Sequence, residues 1–272
     1  MPSPIFVRPR FWYDSYTDYW RLVELAGYPV VYEDEVDASN PDATYILTML
    51  NLGAMAKAGD GWPDAKARLI YWDLEWSHES YIDRIPGLHE FWTSDRSYAA
   101  QRGYTFVPLG SHPGLVSVNP TVRWNGGATW DVCVLAYMGP PRRQDVWNGL
   151  DRRGLRLAPT GAWGAERDGQ LEHSRVMLHI HQHDEFPCVA AQRFALAAAA
   201  AIPLISETIA DPYPFEVGRD FVQASKRDLP AVVEVFLTHG HGTALAANML
   251  RTACDDFRFE KNVTKALERG KA

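Results

Sequence analysis

The sequence predicts an α/β protein whose two parallel-sheet domains face each other across a cleft. Three observations predict it. Short apolar runs alternate with helical segments from Ile5 to Leu109, an order that produces strand–helix–strand crossovers and a parallel sheet. The alternation stops between Gly110 and Thr129, where SHPGLVSVNPTVRWNGGAT is rich in Gly, Pro, Asn and Ser and reads as a linker or boundary loop. It resumes at Trp130 and ends in a helical tail.

In the first half, Ile5 to Val7, Tyr28 to Tyr32, Ala43 to Leu50, Arg68 to Trp72, Glu90 to Thr93 and Tyr104 to Leu109 read as strands. Helices are expected from Tyr16 to Ala26, Asn51 to Ala58 and Asp95 to Arg102, the first stopped by Gly27. In the second half the expected strands are Trp130 to Tyr137, Leu155 to Ala158, Val176 to Ile180, Pro203 to Ser206 and Phe221 to Ala224. Helices are expected from Arg142 to Arg152, Val189 to Ile202 and Asp228 to Leu237, with a helical tail from Ala244 to Glu268. Each half is a Rossmann-like unit, so the domains are expected at residues 1–115 and 116–272.

Composition narrows the function. With 272 residues, 46% hydrophobic and 22% charged, the chain can bury one large or two small cores. A formal charge of -7 argues against an extended nucleic-acid surface, which needs clustered Lys and Arg. The sequence shows no membrane span and no signal-peptide core, so a cytoplasmic protein is expected. Cys133, Cys188 and Cys254 are odd in number and widely spaced, as reduced thiols would be.

Loops at the carboxyl ends of parallel strands lie beside helix N-termini, where phosphates collect. Met138-Gly139-Pro140-Pro141-Arg142-Arg143 follows a strand and opens a helix, so its free amides and the guanidinium groups of Arg142 and Arg143 suit a pyrophosphate. The competing reading is a solvated helix start. His179, His181 and His183 alternate along a strand and could meet one metal ion. The strand should end near His181, so a histidine contact to a phosphate or sugar hydroxyl from His181 or His183 is the reading taken, without a metal. Glu185 suits either a donor sugar or the helix dipole. Arg193 lies in an otherwise apolar, alanine-rich helix, and an arginine there needs a partner.

The segment Leu178-His179-Ile180-His181, Arg193-Phe194-Ala195-Leu196-Ala197, Leu204-Ile205-Ser206-Glu207 and Phe215-Glu216-Val217-Gly218 resembles the carboxyl-terminal domain of GT-B glycosyltransferases, most closely the CgeB-like group. Two positions depart from that pattern. Ala195 stands where the family has a glutamate for the ribose hydroxyls, and Ala200 or Ala201 where it has a glycine. The resemblance implies a GT-B plan whose last helix crosses back to the first domain, and a nucleoside-diphosphate sugar bound by the second domain without a cofactor or metal. It gives Arg142, Arg143 and Arg193 the diphosphate, Glu207 the ribose in place of Ala195, and the loop of Asp211, Tyr213 and Gly218 a backbone amide toward the diphosphate.

The first domain then supplies the acceptor side. Asp14, Asp73 and Glu75 are the candidates for catalytic base, each next to aromatic residues able to stack on a sugar or base. The expected function is transfer of a sugar to a protein, a glycan or a modified DNA base. The alternatives are a nucleotide-sugar-binding protein without catalysis and a GT-B-type sugar-nucleotide epimerase.

Overall fold

The computed structural model describes residues 3–10, 17–48, 61–74, 85–88, 90–183, 189–239 and 242–269. The chain divides into two compact units, Met1–Leu109 with Phe259–Ala272, and Gly110–Arg258. The expected helix at 51–58 lies outside the described residues.

In the first unit the strands β1 (Ile5–Arg8), β2 (Val30–Tyr32), β3 (Thr44–Thr48), β4 (Arg68–Asp73), β5 (Glu90–Thr93) and β6 (Thr105–Phe106) form one sheet. Its order is β2-β1-β3-β4-β5-β6, and every pairing is parallel. β3 and β4 are almost wholly buried, as near-continuous apolar runs in a covered parallel sheet should be. Helix α1 (Thr17–Leu25) buries Tyr19, Trp20, Leu22 and Val23 on one face. Helix α2 (Arg96–Arg102) starts where the Asp95 carboxylate accepts the Tyr98 amide at 2.7 Å, and ends at Gly103 with φ +69°.

Second-unit elements are α3 (Thr121–Trp124), β7 (Trp130–Cys133), α4 (Pro141–Asp151), α5 (Gly164–His173), β8 (Ser174–His179), α6 (Ala191–Ala199), β9 (Leu204–Glu207), β10 (Val222–Ala224), α7 (Leu229–His239) and α8 (Gly242–Arg251). The sheet order is β10-β9-β8-β7, again all parallel. The strand expected at Leu155 to Ala158 is a single parallel bridge from Leu157 to Val132, on the open side of β7. A π-helical turn, Thr252–Asp256, ends the unit. Helix α9 (Phe259–Arg269) belongs to the first unit, as the expected return of the last helix requires. Its Phe259 stacks on Trp72 at 5.7 Å, and Asn262 donates to the Pro108 carbonyl at 2.8 Å.

The stretch read as a boundary loop is instead a packed part of the second unit. Ser111 is fully buried, with its amide on the Ala253 carbonyl and its hydroxyl on the Ala195 carbonyl. Leu115 and Val116 are buried, and Arg123 on α3 donates to the carbonyls of Leu171, Ser174, Ala200 and Ala201. Gly, Pro and Asn content reported irregular backbone correctly, but irregular backbone held by side chains is not a linker.

Strand order fixes where a ligand belongs. The chain leaves β7 for Leu157 on one side and takes up β8 on the other, so a topological switch point lies between the loops after β7 and β8. The first unit has its own switch point between β1 and β3. Among the described residues, no helix is long and apolar enough to cross a membrane.

Candidate functional site

The second unit's switch point gathers many of the expected donor residues. β7 ends at Cys133 rather than Tyr137, leaving a loop that carries Gly139 and enters α4 at Pro141, a proline at the first helical position. From the first turn of α4, Arg142 reaches across the carboxyl ends of β8 and β9. Its guanidinium donates to both Glu207 carboxylate oxygens at 2.7 and 2.8 Å and to the His181 carbonyl at 2.7 Å. The His181 amide adds a third donor to Glu207 at 3.1 Å. Both members of the ion pair are nearly buried, at 11% and 9% side-chain exposure. Glu207 therefore serves Arg142 in this structure, which bears directly on the ribose role expected of it.

Arg143 is 2% exposed and donates to the carbonyls of Tyr137 at 2.7 Å and Ile180 at 3.1 Å. It ties the loop after β7 to the end of β8, across the switch point. Arg193 is half-buried in the first turn of α6, close enough for its charge to act on both His179 and His181.

His179 and His181 sit edge to face at 4.9 Å. The Ser206 hydroxyl donates to the Glu207 carbonyl at 2.7 Å, so at the 3.1 Å contact with His179 it accepts from Nδ1–H. Burial, with the nearby Arg193, His181 and Arg143, pushes the His179 pKa well below its ordinary value. His181 Nε2 donates to the Thr208 carbonyl at 2.9 Å. Its pKa is lowered by burial, with Arg142 and Arg193 adding to the effect and Glu207 opposing it. With both histidines held neutral, the positive charge here lies on arginine, and Glu207 offsets that of Arg142. His183 is exposed. No group of three or more His, Cys, Asp or Glu side chains is arranged to hold a metal ion among the described residues.

The other described positions among those expected make contacts of their own. Tyr213 packs its ring edge-on against Phe257 at 5.6 Å, and its amide donates to Asp211 at 3.3 Å. Gly218, at φ +84°, gives its amide to the Phe221 carbonyl at 2.8 Å. Ala195 is 1% exposed. In the first unit Asp73 is buried at the end of β4, and its carbonyl accepts from the Ser94 amide at 3.0 Å. Asp14, Glu75 and Glu185 lie outside the described residues.

Tyr137 was not singled out by sequence. Read as the last residue of a strand, it is a loop residue at 76% exposure. The missed signal is Gly139 two residues on, since a Cβ there would lie 2.2 Å from the Tyr137 hydroxyl oxygen.

No protein-family model matches the sequence, and no curated protein matches it. Solved structures do match, along nearly the whole chain. Anabaena Alr3699/HepE in complex with UDP-glucose aligns with a TM-score of 0.63 at 13% identity, over 99% of each chain. An α1,3-fucosyltransferase with GDP aligns at 0.59 and 9% identity, over 98% of this chain and 90% of that one. The T4 phage β-glucosyltransferase aligns at 0.56 and 11% identity, over 97% and 99%. At such identities the likeness is one of fold, and the fold of this chain is the two-unit parallel α/β plan of the GT-B glycosyltransferases.

Proposed function

We propose that the chain is a glycosyltransferase of the CgeB-like group that moves a sugar from a nucleoside-diphosphate sugar to an acceptor, in the cytoplasm and without a metal ion. The second unit takes the donor. Arg142 and Arg193 hold the diphosphate and stabilise it as it departs, while Glu207 and Arg143 keep the site in shape. The acceptor's base comes from the first unit, with Asp73 the described candidate beside Asp14 and Glu75.

The observation that carries this reading is the meeting of Arg142, Arg143 and Arg193 with two neutral histidines at the second unit's switch point. The fold shared with proteins solved with UDP-glucose and GDP supports the choice of ligand class.

Thermal-shift screening against UDP, GDP, ADP and TDP sugars tests it, because a ligand at a hundred times its Kd stabilises the fold by about 2.7 kcal/mol. At least one donor should raise Tm. Arg142→Ala and Arg193→Ala should each remove the shift, whereas purely structural arginines would lower Tm and leave the shift intact. A flat response across the panel would overturn the proposal.

A further inference from the structure

From the position of Tyr137 we infer a sugar-stacking subsite: its phenol ring is the platform on which the donor's sugar lies while Arg142 holds the diphosphate. The inference rests on the proposed donor site and gives it a specificity-determining residue.

Tyr137 is 76% exposed, more than any other large hydrophobic residue described; Val235 follows at 57%. An aromatic side chain left in water on a loose loop would need no explanation. This loop is not loose. The Tyr137 carbonyl is held by the buried Arg143 at 2.7 Å, and the Gly139 carbonyl accepts from the Gln144 side chain at 3.1 Å. The ring itself lies over Gly139, whose missing Cβ leaves the space that it fills. Gly139 does not have a positive φ, so nothing in its backbone calls for glycine. The main chain that carries the phenol is thus held in place, while the phenol, its tip over Gly139, faces solvent.

The location is equally specific. Arg143 joins the Tyr137 main-chain carbonyl to that of Ile180, so Tyr137 leaves the main chain beside the switch point between the loops after β7 and β8. The same loop runs directly into α4, whose first turn carries Arg142. In a nucleoside-diphosphate sugar the ring bonded to the distal phosphate is the sugar, whereas the base is set off by a ribose. A platform on the loop that leads into the phosphate-facing helix turn therefore meets the sugar. Apolar faces of hexoses lie against aromatic rings, with the phenol hydroxyl available to a sugar hydroxyl.

The test measures binding of UDP-glucose and UDP, and in parallel GDP-fucose and GDP, by calorimetry to the full chain. Tyr137→Ala should weaken whichever nucleotide sugar binds by about tenfold and leave the matching free diphosphate within about twofold. Tyr137→Phe should retain most of the sugar's contribution. Gly139→Ala, which drives the ring from its seat, should behave like Tyr137→Ala. Equal losses for the nucleotide sugar and the free diphosphate would assign the ring to the nucleobase or to the loop's shape and overturn the inference; so would no loss at all. If the wild-type chain binds none of these four ligands, the same comparison is made with the donor that raises Tm in the UDP, GDP, ADP and TDP sugar panel; failure across that whole panel would remove the donor site itself, and the subsite with it.

Discussion

The two units build parallel sheets of the same kind from different materials. The first has an aromatic interior: Phe6, Tyr19, Trp20, Trp72, Trp92 and Phe259 are 2% exposed or less, and Phe6, Tyr19, Trp72 and Phe259 lie within 6.3 Å of one another in several pairs. Around its sheet the second has mainly Val, Leu, Ile and Ala, with a smaller aromatic group of Phe194, Phe215 and Phe221, and its segments are tied together by Arg123 and Arg143, each nearly buried and bonded to main-chain carbonyls. Aromatic side chains fill volume; buried guanidinium groups satisfy backbone acceptors in irregular segments. The contrast shows why residue counts mislead here. An abundance of Trp and Tyr suggests a carbohydrate surface, yet much of it is core, and arginines that suggest phosphate are partly structural.

The largest effect that would test this contrast is in the aromatic core. Trp72→Ala removes a fully buried indole that packs on Trp92 and Phe259. It should cost about 3–5 kcal/mol in urea denaturation. A loss under about 1 kcal/mol would mean that the first unit does not depend on its rings as described.

Next comes the buried cation of the second unit. Arg123→Met keeps the volume and removes donors to the carbonyls of Leu171, Ser174, Ala200 and Ala201. Burial pulls the Arg123 pKa down to about 10, so it stays charged at neutral pH. Leaving buried carbonyls without a donor should cost about 3 kcal/mol. If the methionine variant were neutral, the carbonyls would have found other donors, and the stretch from Gly110 to Thr129 would be looser than its bonds imply.

Much of the fold was legible because parallel strands buried on both faces are written as apolar runs. β5 is Glu90–Thr93 as expected, and α1 and α4 shift by a residue or so at their ends. Helix α5 was missed because GAERDGQLEH has glycine at two positions and no apolar stripe, although Leu171 is fully buried. At the site, Arg142 and Arg143 lie in the first turn of a helix that follows a strand, and His181 lies just past a strand end, as their positions in the sequence imply. It did not reveal that Glu207 would pair with Arg142, because that bond spans 65 residues and depends on the neighbouring order of β8 and β9.

Acid separates the two units further. His179 and His181 are held neutral in the second unit, with pKa values below the ordinary one. In the unfolded chain each takes up a proton near pH 6.5. Below that pH the unfolded state binds more protons than the folded state, so stability falls as pH falls, by up to about 1.4 kcal/mol per pH unit for each histidine. Denaturation midpoints between pH 7 and 5.5 should therefore drop. His179→Asn, whose amide can still donate to Ser206, should flatten the slope; an unchanged slope would show that other groups govern it.

The smallest effect concerns the end of α6. The Ile202 amide donates to the Ala197 carbonyl at 3.1 Å and the Ala201 amide to the Ala198 carbonyl at 2.9 Å, the two bonds of a Schellman cap. Its left-handed position is filled by Ala201 at φ +45°, where glycine is the usual occupant. A Cβ in that conformation costs about 1–2 kcal/mol. Replacing it by glycine loosens the unfolded chain by about 0.4–1 kcal/mol. The first quantity exceeds the second, so Ala201→Gly should stabilise the protein by about 0.5 kcal/mol, while Ala200→Gly, in ordinary helical backbone at φ -78°, should destabilise it by about 1 kcal/mol. Opposite signs at adjacent alanines in parallel melts would show that Ala201 carries backbone strain; equal signs would mean that Ala201 sits there without cost.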